Sequence, residues 1–306
     1  MKHDLKGIIP PLVTPFTADE TIDEAALREN VRFMMRKGVH GICLGGSTGE
    51  GHTLSTEELA RSIEIACEEV DGSIPVVAGI IANSTRKAIE MAKAVSQYDV
   101  AALQVTPVHY VFKPDDDATY AHFKRMTEEV DLPVLIYNVV PWNYLSPALL
   151  VRLMEGLPGI IGVKQSAGDL KLMADLMISI PQGKLVFTAV DALLYASFAM
   201  GAHGTIAANP AAVPGVCVAL WNAVQAGDHA KAQEIHRALL RFWNTIFADN
   251  LPANVKYVLS KQGVNAGLPR MPMPVTSPEQ AAKIDVQLAE VLKYDESETA
   301  SMQKAG

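Results

Sequence analysis

PVLIYNVVPWNYLSPALLVRLMEGLPGIIGVKQ, residues 133–165, holds two short apolar runs on either side of a segment with a helix start built into it. Ser146 followed by Pro147 is an N-cap and first-turn pairing, because a proline at the first helical position sacrifices no hydrogen bond and arrives with its φ preset. Strand, helix and strand in succession imply parallel pairing through a helical crossover, since parallel neighbours need a long return path. The second run ends in Lys164, an ammonium group at the end of what reads as a buried strand. Such a lysine either snorkels to solvent or is a desolvated amine kept for covalent chemistry.

The same alternation recurs along the chain. Eight runs read as strands: GIIPPLVT, GICLGG, PVVAGII, AALQVT, PVLIYNV, IIGVKQ, LVFTA and GTIAA. Between the first two, Leu27, Val31 and Met34 mark one helical face and Gly38 supplies a stop. Ser55 with Glu58 reads as a capping box, and Ser84 or Thr85 as the cap of the next helix. Eight such units close most economically into a (β/α)8 TIM barrel. A doubly wound open sheet usually has fewer strands and an early glycine-rich phosphate turn, which the sequence lacks. After GTIAA the pattern is helical throughout, so residues 1–226 are expected to form the barrel with the active site and residues 227–306 a helical extension that is not an independent domain. The polar tail DESETASMQKAG has no apolar period and is expected to fray.

Composition narrows the function classes. With 49% hydrophobic and 20% charged residues among 306, the chain has the make-up of a globular protein with a large core, and no apolar run approaches the roughly 20 residues that span a bilayer. No signal-peptide pattern opens it, so a cytoplasmic location is expected. The net charge of −8 is spread without a basic stripe, which argues against nucleic acid as a partner. Three cysteines, Cys43, Cys67 and Cys217, are far apart and odd in number, so neither a disulfide framework nor a zinc knuckle is indicated.

In a barrel the C-terminal strand ends form the active face. Here those ends carry Thr14, Ser47, Thr48, Thr106, Tyr137, Lys164 and Asp191, which puts an amine, a phenol, hydroxyls and a carboxylate around one mouth. An amine attacks a carbonyl only when unprotonated, and an apolar barrel mouth disfavours the charged form, which is how Schiff-base lysines are activated. Tyr137, on the preceding strand, is placed to relay the proton when a carbinolamine loses water; the alternative is a buried tyrosine satisfied by backbone. GGSTGE, residues 45–50, follows an apolar run and precedes a helix. Gly46 and Gly49 let the backbone turn tightly and present amides to a carboxylate or phosphate, and Ser47 and Thr48 add hydroxyls. Glu50 reads as a buttress of that loop. His52, His109 and His203 show no metal-binding spacing, so no metal site is expected.

GGSTGE, YNVVP and GVKQSAGD, in that order and spacing, resemble the dihydrodipicolinate synthase and N-acetylneuraminate lyase family of class I, lysine-dependent aldolases. VTPF, VVAGIIANST, HGTIAANPA and VLSKQGVNAGLPRMPM extend the likeness nearly end to end. The resemblance implies a barrel assembled as a homotetramer, a dimer of dimers, with pyruvate held as an imine on Lys164. It also implies proton relay by Tyr137 and a grip on the pyruvate carboxylate by Ser47 and Thr48, with Gly46 beside them.

Departures from the family pattern bear on the second substrate. Synthases of the family follow the tyrosine with an arginine for a substrate carboxylate; here Trp142 and Asn143 stand there, and neither replaces a bidentate guanidinium. Where those enzymes carry a second tyrosine supplied across a dimer interface, this chain has Val108 and His109, with Tyr110 one residue late; either His109 relays the proton instead or that relay is absent. Sialic acid lyases carry an acidic pair on strand seven; here only Asp191 is kept, followed by Ala192. Ser166 is a candidate for hydrogen-bonding a substrate hydroxyl, and Ile206 of the eighth unit for the pocket wall. With Trp142 placed in the pocket, a weakly charged, partly aromatic aldehyde competes with a sugar as acceptor.

The expected function is therefore a lyase or aldolase that forms an imine between Lys164 and pyruvate or a related 2-keto acid and makes or breaks a carbon–carbon bond with an aldehyde. It needs no cofactor beyond that imine. The alternatives are 4-hydroxy-tetrahydrodipicolinate synthase of lysine biosynthesis, a non-catalytic keto-acid binder, and a metal-dependent aldolase for which the sequence shows no ligands.

Overall fold

The computed structural model describes residues 4–297. Its strands are β1 (Gly7–Ile8), β2 (Ile42–Leu44), β3 (Val76–Ile80), β4 (Val100–Val105), β5 (Val134–Asn138), β6 (Ile160–Gln165), β7 (Leu185–Thr188) and β8 (Gly204–Thr205). All pair in parallel in the order β1-β8-β7-β6-β5-β4-β3-β2. A parallel bridge between Pro11 and Cys43 joins the two ends, so the sheet closes on itself as a (β/α)8 barrel. The first apolar run yields only a two-residue strand because Pro10 and Pro11 have no N–H to give the ladder.

Helices return the chain on the outside. They are α1 (Glu24–Arg36), α2 (Thr56–Val70), α3 (Thr85–Val95), α4 (Asp116–Glu129), α5 (Pro147–Gly156), α6 (Leu170–Ser179), α7 (Leu194–Ala199), α8 (Ala208–Ala212) and α9 (Pro214–Gln225). Three more follow: α10 (His229–Ile246), α11 (Leu251–Lys261) and α12 (Pro278–Val291). The caps expected from sequence form as side-chain hydrogen bonds: Ser55 with Glu58 makes a reciprocal box, Ser84 takes Lys87 N–H, and Ser146 takes Leu149 N–H. Each cap satisfies an amide that the helix itself leaves open, worth about 1 kcal/mol.

The period of two along the strands divides the core. Val76, Ala78 and Ile80 of β3 face outward beneath the helices, as do Leu103 and Val105 of β4 and Ile136 of β5. Val77, Ala102, Leu135, Phe187 and Ile206 face inward, where with Leu5, Ile9 and Cys43 they form a separate buried cluster. That cluster fills the barrel interior beneath its C-terminal mouth. In the β5–β6–β7 register Tyr137, Lys164 and Phe187 lie side by side at one height, with Tyr137 and Lys164 on the inward-facing alternation that begins with Leu135.

The polar tail does not behave as expected at its beginning. Lys37 Nζ donates to Asp295 at 2.9 Å and to Ser297 Oγ at 3.1 Å, which ties that segment to the end of α1. Residues 298–306 of the tail lie outside the described residues. Among the described residues, no helix is long and apolar enough to cross a membrane.

Candidate active site

Lys164 is 3% exposed and is the penultimate residue of β6, just before a small polar loop. Its Nζ lies 3.7 Å from the centroid of the Tyr137 ring, and among the described residues it enters no ion pair. Snorkelling is therefore not its role; the amine stays inside the barrel mouth. Tyr137 Oη shares a hydrogen bond of 3.1 Å with Ser47 Oγ, which links β5 to the GGSTGE loop.

That loop is built from backbone geometry and a distant brace. Gly45 has φ +74°, and a Cβ on Gly51 would sit 1.9 Å from the Gly45 carbonyl oxygen, so the chain can double back only because both positions are glycine. Ser47–Gly49 forms one 3-10 turn whose first N–H groups, from Ser47 and Thr48, are not consumed within it. Thr14 Oγ1 donates to the Gly49 carbonyl at 2.7 Å. Glu50, fully buried and at φ +54°, accepts from Lys256 Nζ at 2.6 Å and from Arg270 N–H at 2.9 Å. Burial pulls the Lys256 ammonium below its ordinary pKa, and the Glu50 carboxylate opposes that shift. Glu50 is the buttress the sequence suggests, but its partner is carried by α11, more than 200 residues later. The only sequence signal for Lys256 is a lysine interrupting the apolar face of PANVKYVL.

The exits of β5 and β6 are held by a buried amide pair that sequence reasoning missed. Asn138 donates to the Leu145 carbonyl at 3.1 Å and to Gln165 Oε1 at 3.2 Å, and accepts from Leu145 N–H at 2.8 Å. Gln165 Oε1 also accepts from Ala167 N–H at 3.0 Å. The two amides stand one position after Tyr137 and Lys164, so they fix the loops into which those strands run.

A cavity of about 340 Å³ opens above these groups. Of the residues singled out from sequence, Lys164, Tyr137, Ser47, Thr48, Ser166, Asp191 and Ile206 line it. Ser166 Oγ is buried and has no hydrogen-bond partner. Asp191 is occupied: its carboxylate accepts from Ala208 N–H at 3.2 Å and from Asn209 N–H at 2.6 Å. Burial raises its pKa to about 6 despite those bonds.

Four of the expected residues stand elsewhere. Gly46 does not line the cavity; its carbonyl closes the loop by accepting from Gly49 and Gly51 N–H. His109 Nδ1 contacts the Pro107 carbonyl at 3.1 Å, outside the cavity. Trp142 is 65% exposed and donates through Nε1 to the His109 carbonyl at 3.0 Å. Asn143 is buried and donates to the Val108 carbonyl at 2.8 Å. Trp142 and Asn143 thus clasp the loop after β4 and do not face the pocket, because the single 3-10 turn Pro141–Asn143 directs them towards that loop. The aromatic wall is supplied instead by Trp243 and Phe247 at the end of α10, with Leu251 and Pro252 at the start of α11. His203 is structural, its Nδ1 accepting from Val186 N–H at 3.1 Å. Among the described residues, no group of three or more His, Cys, Asp or Glu side chains is placed to hold a metal ion.

Comparison with known proteins bears on this geometry. The model of the dihydrodipicolinate synthetase family matches residues 4–291. The chain belongs to that family. A 4-hydroxy-tetrahydrodipicolinate synthase from Methanopyrus kandleri is 35% identical over 276 residues, covering 89% of this chain and 92% of that protein. A prophage protein of the dihydrodipicolinic acid synthase family from E. coli K12, solved in complex with pyruvate, superposes with a TM-score of 0.89 at 26% identity over 94% of this chain and 98% of that one. N-acetylneuraminate lyase from Mycoplasma synoviae superposes with a TM-score of 0.83 at 26% identity, covering 94% and 97%. Members of the dihydrodipicolinate synthetase family are carbon–carbon lyases and synthases of the class I aldolase type, and this chain is an enzyme of that class.

Proposed function

We propose that Lys164 forms an imine with pyruvate or a related 2-keto acid and that the derived enamine adds to, or is released from, an aldehyde that is not strongly anionic. One observation carries the reading: the buried Lys164 amine lies against Tyr137, whose hydroxyl is bonded to Ser47 of the GGSTGE loop. Amine, phenol and a carboxylate cradle thereby converge on one cavity. The pyruvate complex of the E. coli relative supports the choice of keto acid.

In the sequence of steps, Lys164 Nζ bonds to the keto carbon and the carbonyl oxygen takes a proton, giving a carbinolamine. Tyr137 relays a proton to the departing hydroxyl, water leaves, and the protonated imine forms. Loss of a proton from the adjacent carbon gives the enamine, the imine nitrogen serving as electron sink. The enamine carbon bonds to the aldehyde carbon while the aldehyde oxygen gains a proton, and water then hydrolyses the imine to free the product and the amine. Ser47 and Thr48 N–H groups and hydroxyls hold the keto-acid carboxylate, where the preorganised loop needs no rearrangement. The chemistry so written calls for no metal or organic cofactor.

The synthase activity of the Methanopyrus relative is the second reading, favoured by sequence identity. It requires a cation for a second substrate carboxylate, and Lys164 is the one basic side chain among the residues lining the cavity. Borohydride reduction in the presence of pyruvate, followed by intact mass and peptide mapping, tests the proposal. An adduct on Lys164, absent in Lys164→Ala, is the expected result. Folded protein that yields no adduct with pyruvate or longer 2-keto acids would leave a non-catalytic binder as the better account.

A further inference from the structure

We infer that the acceptor is an uncharged aldehyde bearing an aromatic or similarly flat apolar group, seated against Trp243 and Phe247; this rests on the imine reading above and names the partner substrate of the same site. The polar side chains of the cavity are few, and most are committed. Lys164, Tyr137, Ser47 and Thr48 serve the keto acid in that reading, and each Asp191 oxygen already accepts one backbone N–H, from Ala208 or Asn209, which orients the carboxylate towards α8. Ser166, with its unpartnered hydroxyl, is what remains for the acceptor.

A polyhydroxyl tail would bring several donors and acceptors to a wall that offers, beyond the groups assigned to the keto acid, the Ser166 hydroxyl and an Asp191 carboxylate already bonded to two amides, and each group left unpaired on burial carries a penalty. An anionic tail would meet no second basic side chain among the residues lining the cavity, and Trp142 and Asn143, which stand where the family's arginine is expected, donate instead to the His109 and Val108 carbonyls. The opposite wall is apolar. Trp243 and Phe247 stand four residues apart, with ring centroids 4.9 Å apart and planes inclined by 31°, so they present one aromatic surface over the mouth. Phe247 is 64% exposed, so its ring is accessible from the cavity side. A flat acceptor stacked there would place its carbonyl towards Lys164 and Tyr137 and reserve Ser166 for at most one polar substituent.

The enzyme would be supplied with pyruvate and assayed against three aldehyde classes in parallel: benzaldehyde and 2-hydroxybenzaldehyde, succinic semialdehyde, and glyceraldehyde with N-acetylmannosamine. Product is read by mass as the sum of pyruvate and aldehyde, with or without loss of water. The inference expects the aromatic aldehydes to have the highest kcat/KM, and Trp243→Ala and Phe247→Ala each to raise their KM about tenfold, or about 1.4 kcal/mol. Phe247→Tyr should restore the KM. Borohydride trapping of pyruvate in each variant reports whether the lysine site is intact, which separates a specific loss of acceptor binding from a loss of fold. Trapping on Lys164 with a preference for the anionic or polyhydroxyl class overturns the inference alone, as does a KM for benzaldehyde that ignores both truncations. Absence of trapping in the wild-type enzyme removes the imine reading and this inference with it.

Discussion

Replacing Lys256 with methionine should loosen the GGSTGE loop from a position 206 residues further along the chain. Lys256 is 4% exposed and donates to Glu50 at 2.6 Å and to the Leu268 carbonyl at 2.6 Å, so its removal leaves a buried carboxylate with one remaining donor, Arg270 N–H. Breaking a buried ion pair by deleting one partner costs about 3–5 kcal/mol, because the survivor keeps its desolvation penalty without the compensating charge. Glu50 is held at φ +54° next to the 3-10 turn that carries Ser47 and Thr48, so relief of its buried charge has to move that turn. Displacement of a positioned group by about 1 Å can cost 10²-fold in rate. The assay has two readouts: the free energy of unfolding from denaturant titration, and the concentration dependence of pyruvate trapping by borohydride. Lys256→Met is expected to lose about 3–5 kcal/mol and to require at least tenfold more pyruvate. The double variant E50Q/K256M should lose less than the sum of the two single variants by about 1.5 kcal/mol or more, the signature of a coupled pair. A loss under about 1 kcal/mol in Lys256→Met, or strict additivity in the double variant, would refute the idea that this pair braces the loop.

Two further predictions follow from buried polar groups. Asp191 has a pKa raised by burial to about 6 in the folded chain, against about 3.9 for an unfolded aspartate. The folded state therefore binds the extra proton between those values, so the stability from this group is complete below pH about 3.9 and is lost as pH rises through about 6, a fall of about 3 kcal/mol. Stability measured from pH 4 to 7 should carry that slope in the wild type and lose it in Asp191→Asn; equal slopes would sink the assignment. Asn138→Ala strips the buried Leu145 N–H and carbonyl of their partner, at about 1–3 kcal/mol for each group. Hydrogen exchange at the Leu145 amide should quicken accordingly, and unchanged protection there would mean that the amide pair does not hold the β5 exit.

Much of the site is legible in the sequence because strand ends are local features. The run IIGVKQ predicts a buried lysine at the close of β6, and PVLIYNV a tyrosine beside it, since the inward period of two and the parallel register together leave those two side chains at one height. The GGSTGE loop is legible for the same reason: its glycines meet a backbone demand that arises within seven residues, as the contact between Gly51 and the Gly45 carbonyl shows. The sequence reading places Trp142 in the pocket, whereas the tryptophan that lines the cavity is Trp243. Trp142 follows Tyr137 along the chain, yet a single helical turn sends it to the loop after β4, where it is 65% exposed.

What the sequence by itself determined was the repeating strand–helix unit, hence the barrel, and the identity of the groups at its mouth. Those depend on periods of two and 3.6 and on caps a few residues long, which are properties of contiguous segments. Only the tertiary structure decided that Glu50 is paired with Lys256, that Asp191 is spent on α8 and that Trp243 and Phe247 wall the cavity. Each of these joins segments whose distance along the chain says nothing of their distance in space. They become neighbours only when the barrel closes and α8, α10 and α11 pack against its mouth.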